Sequence, residues 1–184
     1  LPKRWSLNQG GPLEWIGTTP HQAIRLTPPS KACGIRRRTM ESLAKCVAAK
    51  TPLVLDGAMG TQIYERGVLF SSCFEELNVS KPELIQRIHE DYIAAGAQII
   101  ETNSFGANAL RLDKHGYQNR VREFNEASVR VAKLAAGDRA YVAGAIGPSG
   151  YFLGQAIVDD LRKVKGAFRE QADALVGAGV DAVV

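Results

Sequence analysis

The sequence predicts an α/β fold in which parallel strands alternate with helices. Apolar strand-like segments are centred near residues 54, 99, 142 and 182, and a segment with helical periodicity lies in each gap. Such alternation implies parallel strands joined by right-handed crossovers. A small open doubly wound sheet and the first half of an eight-stranded (β/α)8 TIM barrel both fit. The half-barrel is favoured because the sequence stops inside an apolar strand, VDAVV.

The composition changes sharply at Met40. Residues 1–39 hold five of the eight prolines, both tryptophans and seven basic residues against one acid, with no periodicity. We expect a disordered or non-native basic tail there, and a truncated N-terminal half of a barrel domain over 40–184. From Met40 onward acids slightly outnumber bases, 18 to 16, so no basic surface for nucleic acid is expected.

The first elements of the domain are a short helix and a strand. The segment ESLAKCVAAK after Met40 predicts the helix, and PLVLDG after Thr51 predicts a strand that ends at Asp56.

The second helix and strand have clear boundaries in the sequence. Ser80 and Glu83 have the spacing of a capping box, Pro82 suits the first turn, and Gly96 ends the apolar helical pattern. AQIIETN then predicts a buried strand.

Two further helices and strands repeat the pattern. Apolar positions predict a helix over 118–136 that ends at Gly137, before the strand AYVAGAIG at 140–147. The next helix ends at Gly177 or Gly179, before VDAVV. The apolar markers of these two helices are Val121, Phe124, Val131, Leu134, Leu161, Val164, Phe168, Leu175 and Val176.

Polar or glycine-rich loops follow three strands, at the strand ends where sites form in parallel α/β folds. They are DGAMGT (56–61), ETNSFGAN (101–108) and GAIGPSG (144–150). All three emerge on one rim, so we expect them to line one pocket.

The loop DGAMGT suits the two charged ends of a free amino acid. Glycines let backbone N–H groups turn towards an anion, and Asp56 can accept from an ammonium group. The loop lacks the G-K-[ST] and G-x-G-x-x-G patterns of nucleotide sites. The alternative is that Asp56 caps the next helix and the glycines only turn the chain.

The other two loops are less specific. In ETNSFGAN, Thr102 or Asn103 could face the pocket or satisfy loop backbone, and strand alternation predicts that Glu101 and Asn103 do not both point the same way as Thr102. For GAIGPSG, close packing of strand and loop is favoured over anion binding. CFEELN (73–78) is expected to form a lid-like loop whose Phe74 and Leu77 pack down.

The histidines and cysteines carry no metal-ligand spacing. His89 and His115 are expected in structural or surface roles. Cys33, Cys46 and Cys73 form no disulfide framework or zinc-knuckle pattern, and Cys73, without a basic neighbour, is expected to be inert. A cytoplasmic location is expected, with no membrane partner.

Together, LDGAMGTQIYERGV, CFEELNVSKPELIQRIHEDYIAAGAQIIETNSFGAN and YVAGAIGP resemble the homocysteine S-methyltransferase family. The resemblance spans about Pro52 to Val184, and CFEELN is most similar to bacterial members fused to a methylenetetrahydrofolate reductase. It implies an eight-stranded barrel that moves a methyl group onto the sulfur of homocysteine, giving methionine.

The resemblance also implies roles for residues of the first two rim loops. Asp56 would hold the ammonium group of homocysteine, and backbone N–H groups around Ala58–Thr61 its carboxylate. The second loop would line the pocket. The implied substrate-binding residues are Asp56, Gly57, Ala58, Met59, Gly60, Thr61, Thr102 and Asn103.

The family's zinc ion, which binds the sulfur as thiolate, is held by cysteines of later strands. No such positions occur here, so the resemblance implies no metal ligand or catalytic residue before Val184, and inactivity of the fragment alone. Cobalamin or methyltetrahydrofolate are candidate methyl sources besides betaine, S-methylmethionine and S-adenosylmethionine. FAD would enter only with a fused reductase domain. The alternatives are a non-catalytic binding or assembly module and a phosphate-binding α/β domain.

Overall fold

The computed structural model describes residues 41–150 and 158–184. The predicted tail, residues 1–39, lies outside this range.

The strands are parallel and adjacent in chain order. They are β1 (Ile99–Glu101), β2 (Tyr141–Gly144) and β3 (Ala182–Val183), in the order β1-β2-β3. The predicted first strand makes a parallel bridge from Leu55 to Ile99 on the free side of β1. All four segments therefore run in sequence across the sheet. A doubly wound sheet reverses its strand order, whereas neighbouring barrel strands do not.

Helices fill the gaps between strands as predicted, with additional short helices in the loops. No helix in the described ranges has both the length and the apolar composition needed to cross a membrane. The helices are α1 (Leu43–Ala48), α2 (Met59–Glu65), α3 (Leu77–Ser80), α4 (Pro82–Ala94), α5 (Ala109–Leu112), α6 (Val121–Ala136) and α7 (Val158–Gly177), with 3-10 turns at Asp113–His115 and Gln118–Arg120.

Most helix ends lie where the sequence predicts them, but the capping box is wrong. Pro82 opens α4, Gly96 follows it with a φ of 110°, and Gly137 caps α6. Ser80 instead ends α3, and its hydroxyl donates to Glu76 Oε2 at 2.8 Å. The short helix α3 uses the serine that the pattern assigned to α4.

The core lies between the sheet and helices α4 and α6. One cluster joins Ile93 of α4, Ile100 of β1 and Val142 of β2 to alanines of α6, whose small side chains allow close packing. Three predicted apolar markers, Leu134, Leu161 and Val176, are exposed instead. Periodicity located the helices correctly but not every buried position.

Both lateral edges of the sheet expose apolar residues. Val54 and Leu55 are exposed beside β1, and Val183 and Val184 are exposed at β3. The backbone groups of these segments pair only on their inner sides within the described part of the chain.

Candidate functional site

The three predicted rim loops meet at one cleft of about 470 Å³. This confirms the expected convergence of the loops at the carboxyl ends of the strands. The cleft is lined by Asp56, Gly57, Ala58, Met59, Gly60, Phe74, Glu75, Glu101, Thr102, Asn103, Phe105, Arg111 and Ala145. Seven of the eight predicted site residues are among them. Thr61, one position further along α2, is exposed and is not part of the lining.

Asp56 follows the bridge residue Leu55, beside a second acid. Its Oδ2 accepts the backbone N–H of Glu101 at 3.0 Å. Burial, together with the negative charge of Glu101, raises the pKa of the Asp56 carboxyl from 3.8 to about 6. A cation in the cleft would favour the ionised form. The bond to Glu101 joins the end of the predicted first strand to the end of β1, and within the described residues Asp56 does not cap α2, whose N-cap is Ala58.

The segment after Asp56 is held close to α4. Tyr92 donates its hydroxyl proton to the Ala58 carbonyl at 3.1 Å, and a Cβ on Gly57 would lie 3.2 Å from the Tyr92 oxygen. Gly57 therefore permits a close approach that a side chain would crowd. Ala58 is the N-cap of α2, and the first N–H groups of any α-helix have no acceptor within the helix.

Thr102 ties the end of β1 to the end of β2. Its Oγ1 accepts the Ala145 N–H at 3.0 Å and lies 2.6 Å from Ser104 Oγ, which donates to the Ala145 carbonyl at 2.8 Å. The Thr102 hydroxyl thus donates to Ser104, and its proton is used within the loop. Of the two alternatives for Thr102, the structure supports satisfaction of loop backbone, at a position that also borders the cleft.

Asn103 fastens the loop 73–78 over the cleft. Its amide nitrogen donates to the Phe74 carbonyl at 2.7 Å and lies 3.3 Å from Asn78 Oδ1. Asn78 in turn donates to the Asn103 carbonyl at 2.7 Å. Phe74 and Leu77 pack onto the core as predicted. The Asn103 side-chain oxygen has no partner in the described part of the chain.

The strand alternation expected at residues 101–103 stays a prediction. Glu101, Thr102 and Asn103 all border the same cleft. The strand ends at Glu101, so Thr102 and Asn103 lie beyond its regular backbone.

Six lining residues are not among the predicted site residues, namely Phe74, Glu75, Glu101, Phe105, Arg111 and Ala145. Glu75 accepts the Gly106 N–H at 2.7 Å through Oε1, Phe105 is exposed at the cleft, and Arg111 lies on α5. Glu75 lies in CFEELN and Phe105 in ETNSFGAN, whereas Arg111 follows the second motif. Periodicity and spacing do not reveal which loop side chains turn towards a cleft.

The third rim loop is packed closely, as predicted. Gly147 N–H donates to the Phe105 carbonyl at 2.8 Å, and a Cβ on Gly147 would clash with that oxygen. Only glycine fits at this contact.

The isolated cysteines and histidines have structural or surface positions. Cys73 is buried and donates to Glu75 Oε2 at 3.4 Å, and burial with the Glu75 charge raises the pKa of its thiol to about 11. His115 is exposed, whereas His89 is fully buried, and neither of its ring nitrogens has a partner among residues 41–150 and 158–184. Burial lowers the pKa of His89 to about 4. These environments agree with the predicted roles.

The described residues do not fit a catalytic zinc site. No cluster of three or more histidine, cysteine, aspartate or glutamate side chains in residues 41–150 and 158–184 could hold a metal ion. Three protein ligands are the usual minimum for catalytic zinc.

Comparison with protein families gives a match over most of the domain. The family model for homocysteine S-methyltransferases matches residues 53–184. Two similar curated proteins are both named methionine synthase. The one from Mycobacterium leprae is 31% identical over 157 residues, and the one from Mycobacterium tuberculosis is 29% identical over 150 residues. The matches cover 79% and 75% of this chain but only 12% of each relative.

Solved structures of a homocysteine methyltransferase, MmuM from Escherichia coli, also match. The metallated form is 27% identical with a TM-score of 0.62, and the match covers 76% of this chain and 55% of that one. The oxidised form is 26% identical with a TM-score of 0.64, covering 78% and 56%. The chain thus spans about half the length of these structures.

Proposed function

Because the chain belongs to the homocysteine S-methyltransferase family, we propose that its domain binds homocysteine for conversion to methionine. In this reaction the sulfur attacks the methyl group of a small donor, the bond from methyl to donor breaks, and the thiol proton is released. The observation that carries the proposal is the acid pair of Asp56 and Glu101 in a cleft at the strand ends.

The acid pair supports binding of the ammonium group. Asp56 keeps one oxygen on the Glu101 N–H, so its other oxygen is available to a ligand. An ammonium group beside both carboxylates would offset their mutual repulsion and ionise Asp56 fully. A phosphate ligand is disfavoured because Asp56, Glu75 and Glu101 line the same cleft.

The backbone after Asp56 is our candidate for binding the carboxylate. We assign this role to N–H groups around Ala58–Thr61, at the start of α2. Gly57, Met59 and Gly60 border the ligand, and Gly57 allows the close approach of chain and ligand.

Thr102 and Asn103 complete the amino-acid site in this proposal. Thr102 fixes the strand ends so that the acid pair stays in place. Asn103 Oδ1 is an acceptor for the ligand, while its amide nitrogen holds the covering loop. Neither residue takes part in methyl transfer.

We propose no zinc ligand among the described residues. By its family, the complete enzyme would use zinc to hold the homocysteine sulfur as a thiolate, with cysteines from further strands. Residues 40–184 would supply the first half of a (β/α)8 barrel. The sequential parallel strands and the exposed sheet edges support this assignment. The fragment alone would then be inactive.

The test is an assay of the full-length protein. We expect methionine to form from homocysteine with one of the small methyl donors, and zinc to copurify. Asp56→Ala should lose homocysteine affinity, whereas Arg87→Gln, an exposed change on α4, should not. Full activity of Asp56→Ala at low homocysteine concentration would contradict the site assignment.

A further inference from the structure

Arg111 is the only cation among the residues that line the cleft within the described part of the chain. The same lining holds three acids, Asp56, Glu75 and Glu101. This charge pattern fits one ligand with a positive and a negative end. It also fits two ligands bound side by side, with a positive group on one and a negative group on the other.

The guanidinium of Arg111 is not neutralised by those acids. None of the ion pairs in residues 41–150 and 158–184 includes Arg111, and none of the side-chain hydrogen bonds there uses its guanidinium. Two of the three acids have other partners. Glu75 accepts from Gly106 and Cys73, and Asp56 accepts from Glu101. A half-buried cation without a counter-charge remains available to an anion.

The backbone and the stem of Arg111 are fixed. Its N–H donates to Asn108 Oδ1 at 3.0 Å, which caps α5 through a fully buried asparagine. A Cβ on Gly150 would lie 3.2 Å from Arg111 Cδ, so the stem of the side chain packs against that glycine. Such a held arginine loses less freedom when it binds than a surface one.

We propose that Arg111 recognises a carboxylate of the ligand in this cleft. The planar guanidinium of Arg111 can donate two parallel hydrogen bonds to a carboxylate, whereas the ammonium group of a lysine cannot form this paired arrangement. This inference rests on the proposed function and adds a specificity-determining residue to it. Two sources supply the same chemistry: the α-carboxylate of homocysteine, and the carboxylate of a methyl donor if the start of α2 holds that of homocysteine.

The test compares Arg111→Gln and Arg111→Lys with the control Arg87→Gln in the full-length protein. Calorimetry measures binding of homocysteine and of 3-aminopropane-1-thiol, which has the same thiol and ammonium groups but no carboxylate. Steady-state kinetics measure the KM for betaine, S-methylmethionine and methyltetrahydrofolate.

If homocysteine supplies the carboxylate, Arg111→Gln weakens its binding by about 10- to 100-fold, as loss of a charged hydrogen-bonded pair does. Binding of the aminothiol stays unchanged, which also shows that the cleft is intact. Arg111→Lys, which keeps the charge without the fork, loses less. If the methyl donor supplies the carboxylate, Arg111→Gln raises the KM for the donor by a similar factor and leaves homocysteine binding unchanged.

The inference is overturned if Arg111→Gln matches Arg87→Gln in both measurements. If the wild-type protein nevertheless binds homocysteine, only the role of Arg111 is refuted and the proposed function is retained. If the wild-type protein binds no homocysteine, both the proposed function and this inference are refuted.

Discussion

Asp56→Asn should weaken homocysteine binding by the full-length protein and change how that binding depends on pH. The substitution preserves shape, because the asparagine oxygen can still accept the Glu101 N–H that Asp56 accepts at 3.0 Å. It removes the negative charge and directs an amide N–H at the position proposed for the ammonium group. Loss of a charge-assisted hydrogen bond costs about 1.5–3 kcal/mol, or roughly 10- to 150-fold in Kd.

The pH dependence follows from the raised pKa of Asp56. With a pKa of about 6, the carboxyl is about nine-tenths ionised at pH 7 and about one-tenth at pH 5. Binding that needs the ionised form should weaken about tenfold over this interval in the wild type. Calorimetry between pH 5 and 8 gives the homocysteine Kd of the wild type and of Asp56→Asn, and the ratio of the two Kd changes gives this factor. Any proton released by the thiol contributes equally to both profiles and cancels.

The stability of the unliganded protein tests the same assignment independently. A carboxyl whose folded pKa is raised stabilises the fold at low pH, and that contribution is lost as pH rises from about 3.8 through about 6. Asp56→Asn should therefore raise the thermal midpoint at pH 7 to 8 while weakening binding. A less stable variant with unchanged Kd and a parallel pH profile would refute the reasoning, because Asp56 would then be purely structural.

Other predictions concern the core and the third rim loop. Burial lowers the pKa of His89 from 6.5 to about 4, so below pH 6.5 the unfolded protein takes up a proton that the folded protein does not. The free energy of unfolding therefore falls with pH, by about 2 kcal/mol at pH 5. His89→Leu should therefore stabilise the protein more at pH 5 than at pH 7.5 in thermal unfolding, and equal shifts would contradict this. Gly147→Ala should destabilise by about 1–3 kcal/mol, because the Phe105 carbonyl occupies the methyl position. Gly166→Ala, with open space in α7, should stabilise by about 0.5–1 kcal/mol, and similar denaturation midpoints for both variants would refute the packing argument.

The elements of the fold could be predicted because each has a local signal. Gly96 and Gly137 end helices through their own backbone freedom, and apolar residues before Asp56 mark the predicted first strand, which forms a bridge at Leu55. The Ser80 cap failed because two helices, α3 and α4, meet at that residue, and the local pattern fits either. Which helix uses the serine depends on the path of the loop, which is a tertiary property.

The site was predictable as far as strand ends determine it. The convergence of Asp56, Thr102 and Asn103 follows from parallel strands alone. Arg111 and Glu75 could not be assigned, because their direction depends on contacts with Gly150 and Gly106 from other loops. The homocysteine contacts of these residues stay predictions.

The most direct measurement is a crystal structure of the full-length protein with homocysteine. We expect the ammonium group within about 3 Å of the free carboxylate oxygen of Asp56, at the mouth shared by the three rim loops. Homocysteine bound away from Asp56 and the start of α2 would contradict the proposed site.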